Sequence, residues 1–229
     1  MTIFFTSDLH FGHPYVARLR GYDDPNITDT ERANRHDQRI IDTINAHVGV
    51  QDELYILGDV SSGSHGSVSR AAYYVSQLNP PIRRLHLILG NHETRSCNAL
   101  YHELYPLFGE LANRAWLDME DNTGQEWHIM LSHYPYQHLM DGEPHDHMST
   151  NATSIDLNHH APQWYGHTSE RLLHGHTHSP RVFDFPDRAG GLDQIHVGWD
   201  AWHRPVSLPE IMMLFTHEQA QRFADKETN

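Results

Sequence analysis

A carboxylate and an imidazole stand two residues apart near the start of the chain, at Asp8 and His10, just after the apolar run 3–5. In an extended backbone the side chains at i and i+2 point the same way, so this pair can grip one ion. The pair is a weak signal by itself, because the chain contains 22 histidines. Its meaning depends on whether other segments supply partners.

Four later loops carry residues of the same kinds, each just beyond the carboxyl end of a predicted strand. These residues are Asp59, Asn91, His92, His133, His176 and His178. In open α/β sheets this edge is where ligands bind, so five separate loops can converge on one point. Small residues that allow close approach to an ion lie in these loops, at Gly58, Gly90, Ser132 and Gly175.

The ligand types define the chemistry that such a point could support. Apart from His92, these residues are two Asp, one Asn and four His, which form a mixed oxygen and nitrogen set without a thiolate. This set suits Mn, which we place first, or Fe, Zn, Ni or Co, rather than Ca²⁺ or an iron-sulfur cluster. Seven ligands are too many for one ion. With one carboxylate bridging, they would hold two divalent ions about 3.5–4 Å apart, the usual clamp for phosphoryl displacement.

The segments between these loops alternate short apolar runs with helical periodicity, which predicts an α/β fold. A helix is predicted from Thr28 or Asp29 to about His47, and another along the apolar stripe from Val68 to Leu78. Strands are predicted at 3–5, 53–57, 85–89, 171–174, 181–185 and 194–197, with a hairpin formed by 115–119 and 127–131. The length of 229 residues predicts a single domain over 1–229.

Periodicity is lost over about 134–168, a stretch rich in Pro, Gly, Asn, Asp and His. Its histidines are His138, His145, His147, His159, His160 and His167. We favour a substrate-facing lid over an added metal site for this insertion, because no other strong ligands accompany the histidines. Replacing it with a short Gly-Ser turn should then alter substrate choice and retain activity on a small artificial phosphodiester. A polar tail follows over about 217–229.

Composition excludes several classes of protein. The formal net charge is −14 and Lys226 is the single lysine, so there is no basic stripe for tracking a long phosphate backbone. Stable duplex binding is not expected, whereas a small phosphorylated ligand remains open. The single cysteine, Cys97, excludes an internal disulfide and is read as a packing residue in a reducing compartment. No apolar run approaches membrane-spanning length, so a cytoplasmic protein without membrane contact is expected.

In order along the chain, the motifs are Asp-x-His, Gly-Asp, Gly-Asn-His-Glu, His and Gly-His-x-His, from Asp8 to His178. This ordered set resembles the calcineurin-like metallophosphoesterase superfamily. The opening around residues 7–13 and the closing motif 196–208 further resemble a short single-domain branch common in bacteria and bacteriophages. The resemblance covers about residues 2–215, apart from the insertion. It implies a four-layer α/β/β/α sandwich, with two mixed sheets packed face to face and helices outside.

The resemblance also implies individual roles. A first metal would be held by Asp8, His10 and His178, and a second by Asn91, His133 and His176, with Asp59 bridging. His92 would protonate the leaving oxygen or stabilise charge on the phosphoryl group, while metal-bound hydroxide attacks in line. Glu93 either fixes the His92 ring or is a surface carboxylate that caps the next helix.

Other residues near the motifs have open or structural roles. His13 could touch the substrate phosphate or make only structural hydrogen bonds, and Arg204 could pair with a phosphate. We expect a structural role for His174 and core packing for Trp199 and Trp202, although a Trp could stack on a base.

The predicted function is dinuclear metal-dependent hydrolysis of a phosphate ester, a diester or a monoester, in a small or nucleotide-like molecule. One alternative is a nuclease acting on DNA or RNA ends, which the acidic charge disfavours. A second is a non-catalytic metal-binding scaffold of the same fold, which the complete set of ligands disfavours. No oligomeric state is indicated.

Overall fold

The computed structural model describes residues 1–94, 99–137, 161–165 and 170–216, and the elements below lie within those ranges. The strands are β1 Ile3–Thr6, β2 Glu53–Ile56, β3 Leu85–Ile88, β4 Glu110–Ala112, β5 Arg114–Glu120, β6 Glu126–Ser132, β7 Glu170–His174, β8 Gln194–His196 and β9 Val206–Ser207. The helices are α1 Pro14–Leu19, α2 Asp29–His47, α3 His65–Val75, α4 Trp199–Trp202 and α5 208–216. Short helical turns cover Ile82–Arg84, Leu100–Leu104, Tyr105–Leu107 and Gly191–Asp193.

The strands form two mixed sheets. The first has the order β4-β3-β2-β1-β9, in which β1 to β4 run parallel and β9 runs antiparallel to β1. The second has the order β5-β6-β7-β8, with an antiparallel hairpin, β5 and β6, followed by parallel pairs. The prediction of an α/β fold with two mixed sheets and flanking helices is confirmed.

Alternation along β2 shows how the layers are assembled. Leu54 and Ile56 are buried on one face, in a cluster with Ile40 and Ile44 of α2 and Val68 of α3. The other face buries Tyr55, and Leu57 just beyond the strand, in a second cluster with residues of β6, β7 and β8. Successive strand side chains point to opposite faces, so a run of apolar residues packs against helices on one side and the second sheet on the other.

Local signals explain where the longest helix begins. The Thr28 side chain accepts a hydrogen bond from the Glu31 backbone N–H, and Asp29 and Glu31 lie in the first turn. An N-cap oxygen and early carboxylates both satisfy the free N–H groups at a helix start. The predicted helix over 28–47 is confirmed.

The predicted and observed strands differ in two ways. Residues 181–185 form no strand, because prolines at 180 and 186 bound the segment. The segment still makes one ladder-like hydrogen bond, in which the Val182 carbonyl oxygen accepts the His196 N–H. Strand β4 was not predicted, since its three residues are partly exposed and carry no apolar run. Helix α3 ends at Val75, although Leu78 beyond it remains in the buried cluster.

Several sequence predictions fall on residues outside the described ranges. These are Cys97, the six insertion histidines and the tail over 217–229. The described ends of the insertion place Tyr136 and Trp164 with Phe185 against Met130 and Leu172, on the outer face of the second sheet. Within the described parts of the chain, no helix is both long and apolar enough to cross a membrane.

Candidate metal centre

The predicted ligands follow the carboxyl ends of β1, β2, β3, β6 and β7, and backbone hydrogen bonds tie their loops together. The N–H of Asp8 donates to Gly58 O at 3.1 Å and that of His10 donates to Asp59 O at 3.0 Å. Gly175 N donates to His133 O at 3.0 Å, which joins the loops of the second sheet. The His92 N–H also donates to Asp59 Oδ1 and the His176 N–H to the Asp8 carboxylate, so the five loops form one hydrogen-bonded edge across both sheets.

Five of the seven predicted ligands have a left-handed backbone. Their φ angles are +59° at Asp8, +49° at His10, +52° at Asp59, +72° at His176 and +51° at His178. A residue with a Cβ is strained in this region, at a cost of about 1–3 kcal/mol each, and such strain clusters at functional sites. The fold thus holds these side chains in an orientation that the local backbone disfavours.

Asp8, His10 and His178, which we term the first ligand group, lie within 4.8 Å of one another through their ligand atoms. The Nε2 atoms of His10 and His178 are 3.1 Å apart, and His178 Nε2 is 4.0 Å from Asp8 Oδ1. All three side chains are buried or nearly so. Two imidazoles and a carboxylate therefore converge on a volume the size of one ion.

Asn91, His133 and His176, termed the second ligand group, converge in the same way. His133 Nε2 lies 2.9 Å from Asn91 Oδ1, and His176 Nδ1 lies 3.1 Å from the same oxygen. The two imidazole nitrogens are 3.2 Å apart. This group supplies two nitrogens and an amide oxygen.

Asp59 lies between the two groups. Its Oδ2 is 3.8 Å from His10 Nε2, and its Oδ1 is 3.6 Å from His133 Nε2. In the ranges that the structure describes, the ion pairs of Asp8 and Asp59 are all with histidines. Two buried carboxylates without a Lys or Arg partner require positive charge from another source.

The donor set fits divalent metal ions. Ligand atoms about 2.1 Å from one ion are roughly 3.0–3.4 Å apart in octahedral or tetrahedral geometry. The imidazole nitrogen pairs, at 3.1 Å and 3.2 Å, have this spacing. The bound cations would also supply the charge that the buried carboxylates lack.

Protonation differs among the ligand histidines of the ion-free protein. Burial, together with neighbouring His178 and His92, holds the pKa of His10 well below its usual range. Burial acts in the same direction at His178, but the hydrogen bond to Asp200 and the Asp8 charge raise the pKa overall. The Asp59 and Asp8 charges likewise outweigh burial and raise the pKa of His133. Neutral imidazole is the ligand form, so a cation competes with protons at the last two residues.

Glycines make the close approach of these loops feasible. A Cβ added at Gly58 would lie 2.5 Å from His133 Nδ1, and one at Gly90 would lie 2.4 Å from Asp59 Oδ1. At Gly175 the added atom would lie 1.9 Å from Ser7 Oγ and 2.5 Å from Asp8 Oδ2. The expectation that small residues allow close approach holds at all three glycines.

Gly175→Ala should therefore destabilise the protein and displace Asp8. Overpacking a buried site costs about 1–3 kcal/mol, which denaturant unfolding would measure. Gly66→Ala is the matched control, because nothing lies within 4 Å of its added Cβ in α3. That control should be neutral or slightly stabilising, since alanine restricts the unfolded chain. Equal stability of the Gly175 variant and the wild type would contradict the close approach described above.

His92 is held beside the two groups by a main-chain oxygen. Its Nδ1 lies 2.9 Å from Ser62 O, and its Nε2 lies 3.6 Å from Asp59 Oδ2. A carbonyl oxygen can only accept, so Nδ1 carries a proton and Nε2 faces the site. His92 also forms a third possible ligand cluster with His10 and Asp59.

The structure gives Glu93 neither of its two predicted roles. The side chain is buried, which excludes a surface carboxylate, and the carboxylate accepts the backbone N–H groups of Asp59, Val60 and Gly90 at 2.7, 2.9 and 3.0 Å. The His92 ring instead donates its Nδ1–H to the main-chain oxygen of Ser62. Burial and the Asp59 charge raise the pKa of Glu93, while the hydrogen bond from the Asp59 backbone lowers it. Glu93 therefore fastens the Asp59 loop to the Asn91 loop.

The two residues predicted to contact substrate, His13 and Arg204, have different surroundings. His13 is the N-cap of α1, with its Nδ1 3.4 Å from Val16 N, and its ring centroid lies 6.0 Å from that of His10. It is therefore near the site and also has a structural role. A phosphate contact by Arg204 stays a prediction; in the structure its guanidinium is bound to the Glu210 carboxylate at 2.6 Å and lies over the Trp202 ring. This ion pair, first of several contacts, lowers the pKa of Glu210 to about 2.

The structural roles expected for the remaining residues agree with the packing. His174 is fully buried, and burial lowers its pKa to about 4. Trp199 belongs to the cluster beneath α2 and α3, and Trp202 packs against the cluster between the sheets.

Two residues of the site, Asp200 and Arg20, were not predicted from the sequence. Asp200 Oδ2 lies 2.8 Å from His178 Nδ1, and the Arg20 guanidinium binds both Asp200 oxygens at 2.7 Å. Burial opposes ionisation, but the hydrogen bonds from Arg20 and His178 hold the pKa of Asp200 well below its usual range. The sequence signal for Asp200 was its position in the closing motif 196–208, between Trp199 and Trp202.

These features place the chain in a family. The chain belongs to the calcineurin-like phosphoesterases, whose family model matches residues 1–180. Membership confirms the resemblance drawn from the ordered motifs and supports a metal-dependent phosphoesterase.

The relatives include bacteriophage proteins. The chain is 34% identical to the Gene 66 protein of Mycobacterium phage L5 over 221 residues, which cover 93% of each protein. It is 32% identical to the Gene 66 protein of Mycobacterium phage D29, over 91% of this chain and 93% of the relative. These matches are consistent with the short bacteriophage-type branch.

A solved structure shares the fold. The protein of unknown function AQ665 from Aquifex aeolicus superposes with a TM-score of 0.54 at 20% identity, covering 93% of this chain and 98% of that one. At this level of identity the likeness concerns the fold alone.

Proposed function

We propose that the chain is a dinuclear metal-dependent hydrolase of phosphate esters acting on a small or nucleotide-like substrate. The observation that carries the proposal is the convergence of two ligand groups on the shared carboxylate of Asp59, within 3.8 Å of His10 and 3.6 Å of His133. Manganese is the metal we favour. The first ligand group would hold one ion, the second ligand group the other, and Asp59 would bridge.

Two bound divalent ions would supply Lewis acidity, activating water and neutralising the phosphoryl oxygens. The chain's own residues supply positioning and proton transfer. His92 keeps Nδ1 bonded to Ser62 O, so Nε2 is the atom whose proton can pass to the leaving oxygen. Glu93 holds the Asp59 and Asn91 loops at fixed separation through three backbone hydrogen bonds.

Charge supports a small substrate rather than a duplex. The net charge is −14, and seven arginines of the described chain are in ion pairs with carboxylates. These pairs neutralise seven of the 15 arginines and so reduce the basic surface that could bind a row of phosphates. A single phosphate group instead needs only the cations and His92.

Metal removal tests the proposal. EDTA treatment should abolish hydrolysis of bis-p-nitrophenyl phosphate and p-nitrophenyl phosphate, and added Mn²⁺ should restore it on at least one ester. Preference between the esters would separate a diesterase from a monoesterase. The ion-free protein should remain folded by circular dichroism but melt at a lower temperature, because a ligand at 1,000 times its Kd contributes about 4 kcal/mol.

Two results would count against this function. Turnover that is unaffected by thorough metal removal would refute metal dependence. Metal binding without turnover on either ester or on a panel of nucleotides would favour the scaffold. A nuclease of strand ends would show itself by turnover of short oligonucleotides in preference to both esters.

A further inference from the structure

The two ligand groups are anchored to the protein in different ways. In the second ligand group, His133 Nδ1 lies 2.8 Å from the main-chain oxygen of Leu57. In the first ligand group, His178 Nδ1 lies 2.8 Å from the carboxylate of Asp200. A carboxylate on the far nitrogen of a ligand imidazole fixes its tautomer and raises its basicity more than a neutral carbonyl does.

Arg20 extends the carboxylate contact into a network around the first ligand group. Its Nε and one terminal nitrogen bind the two oxygens of Asp200 at 2.7 Å each. The terminal nitrogens also donate to Asp8 O at 2.7 Å and to Leu9 O at 3.2 Å. One buried guanidinium therefore contacts the main chain of the Asp8-x-His10 triplet and, through Asp200, the His178 ring.

The network continues to the turn after the triplet. A terminal nitrogen of Arg20 lies 3.1 Å from His36 Nε2, and His36 Nδ1 lies 2.9 Å from Asp37 Oδ1. The other Asp37 oxygen accepts the Gly12 backbone N–H at 2.9 Å. The residues on both sides of His10 are thus fastened to the same set of buried charges, against the left-handed strain at Asp8 and His10.

We propose that Arg20 and Asp200 are a positioning pair that sets the metal affinity of the first ligand group and leaves the second unaffected. The inference rests on the proposed function, since it requires two metal sites. Arg20 and Asp200 act through the His178 ring and the Asp8–Leu9 main chain. The planar, forked guanidinium of arginine is required, because the ammonium of a lysine cannot bind both oxygens of a carboxylate and two carbonyl oxygens as well.

The test is metal binding by Asp200→Asn, measured as Mn²⁺ bound per chain by equilibrium dialysis and elemental analysis. We expect one of two ions to bind about 10–100-fold more weakly, as loss of such an outer contact typically causes, and the other to keep its wild-type affinity. The electron paramagnetic resonance spectrum should change from a spin-coupled pair to an isolated Mn²⁺ ion. The spectrum of the remaining Mn²⁺ ion should match that of the His178→Ala variant and differ from that of the His133→Ala variant.

Glu210→Gln is the matched control, because it disrupts another arginine–carboxylate pair, with Arg204, away from both ligand groups. It should retain two ions. Arg20→Lys keeps the charge and loses the fork, so it should show the same one-site loss and keeps the test decisive if Asp200→Asn does not fold.

The outcomes separate the two proposals. Wild-type protein that binds fewer than two ions would refute the dinuclear site itself. Wild-type protein with two ions, together with Asp200→Asn and Arg20→Lys variants that bind both as tightly or lose both equally, would overturn the positioning role alone.

Discussion

Asp59→Asn should abolish turnover and release both metal ions. The Asp59 carboxylate lies within 4 Å of an imidazole nitrogen from each ligand group, through a different oxygen in each case. Asparagine keeps the shape but removes the negative charge and replaces one acceptor oxygen with a donor. The expected loss of kcat is at least about 10³-fold, the upper range for removing one electrostatic stabiliser.

The release of both ions distinguishes this variant from the one-site loss expected for Asp200→Asn. Elemental analysis after dialysis measures the number of ions that each variant retains. Asp118→Asn is the control. Asp118 is an exposed carboxylate 2.8 Å from a histidine, His128, so the control makes the same chemical change in a surface pair. Near-normal turnover with two ions bound to Asp59→Asn would show that the carboxylate does not bridge.

His92→Ala should lower turnover about 10²–10⁴-fold, the usual contribution of a positioned general acid, while both ions stay bound. The reason is geometric, because Nδ1 is held by Ser62 O and only Nε2 faces Asp59 and the ligand groups. The deficit should be larger for alkyl esters than for p-nitrophenyl esters, since p-nitrophenolate leaves without a proton.

The control and the competing role can both be measured. His128→Ala removes an exposed imidazole that contacts a carboxylate and should leave kcat unchanged. Loss of an ion from His92→Ala would instead assign His92 as a ligand, in the cluster that it forms with His10 and Asp59. An equal deficit for all leaving groups would argue for charge stabilisation rather than proton donation.

The position of the site could be predicted because it depends on local order along the chain. Asp8, Asp59, Asn91, His133 and His176 each follow a short apolar run, and strand ends of one sheet edge lie together in this fold class. The glycines in these loops likewise predicted that the loops pack closely, and Gly58, Gly90 and Gly175 do lie against neighbouring loops. Periodicity also located most strands and α2.

Local patterns could not show which partner a polar side chain selects. Glu93 is next to His92 in sequence, yet its carboxylate binds the main chain of Asp59 and Val60, more than 30 positions away. Arg204 was a candidate for phosphate, but the close placement of Glu210 in α5 gave it a carboxylate. In both cases the charged side chain binds a partner that the tertiary structure brings close, main-chain N–H groups for Glu93 and the Glu210 carboxylate for Arg204.

The sequence by itself determined the family, the ligand types and the edge where they gather, since these depend on residue identity and on the strand that precedes each motif. Only the tertiary structure decided how the ligands are held in place. Arg20 and Asp200 lie 180 positions apart, and their contact exists because the closing segment bridges back to Ser7. Hydrogen-bond partners are set by distances of about 3 Å between remote segments, and no periodicity in the chain encodes such distances.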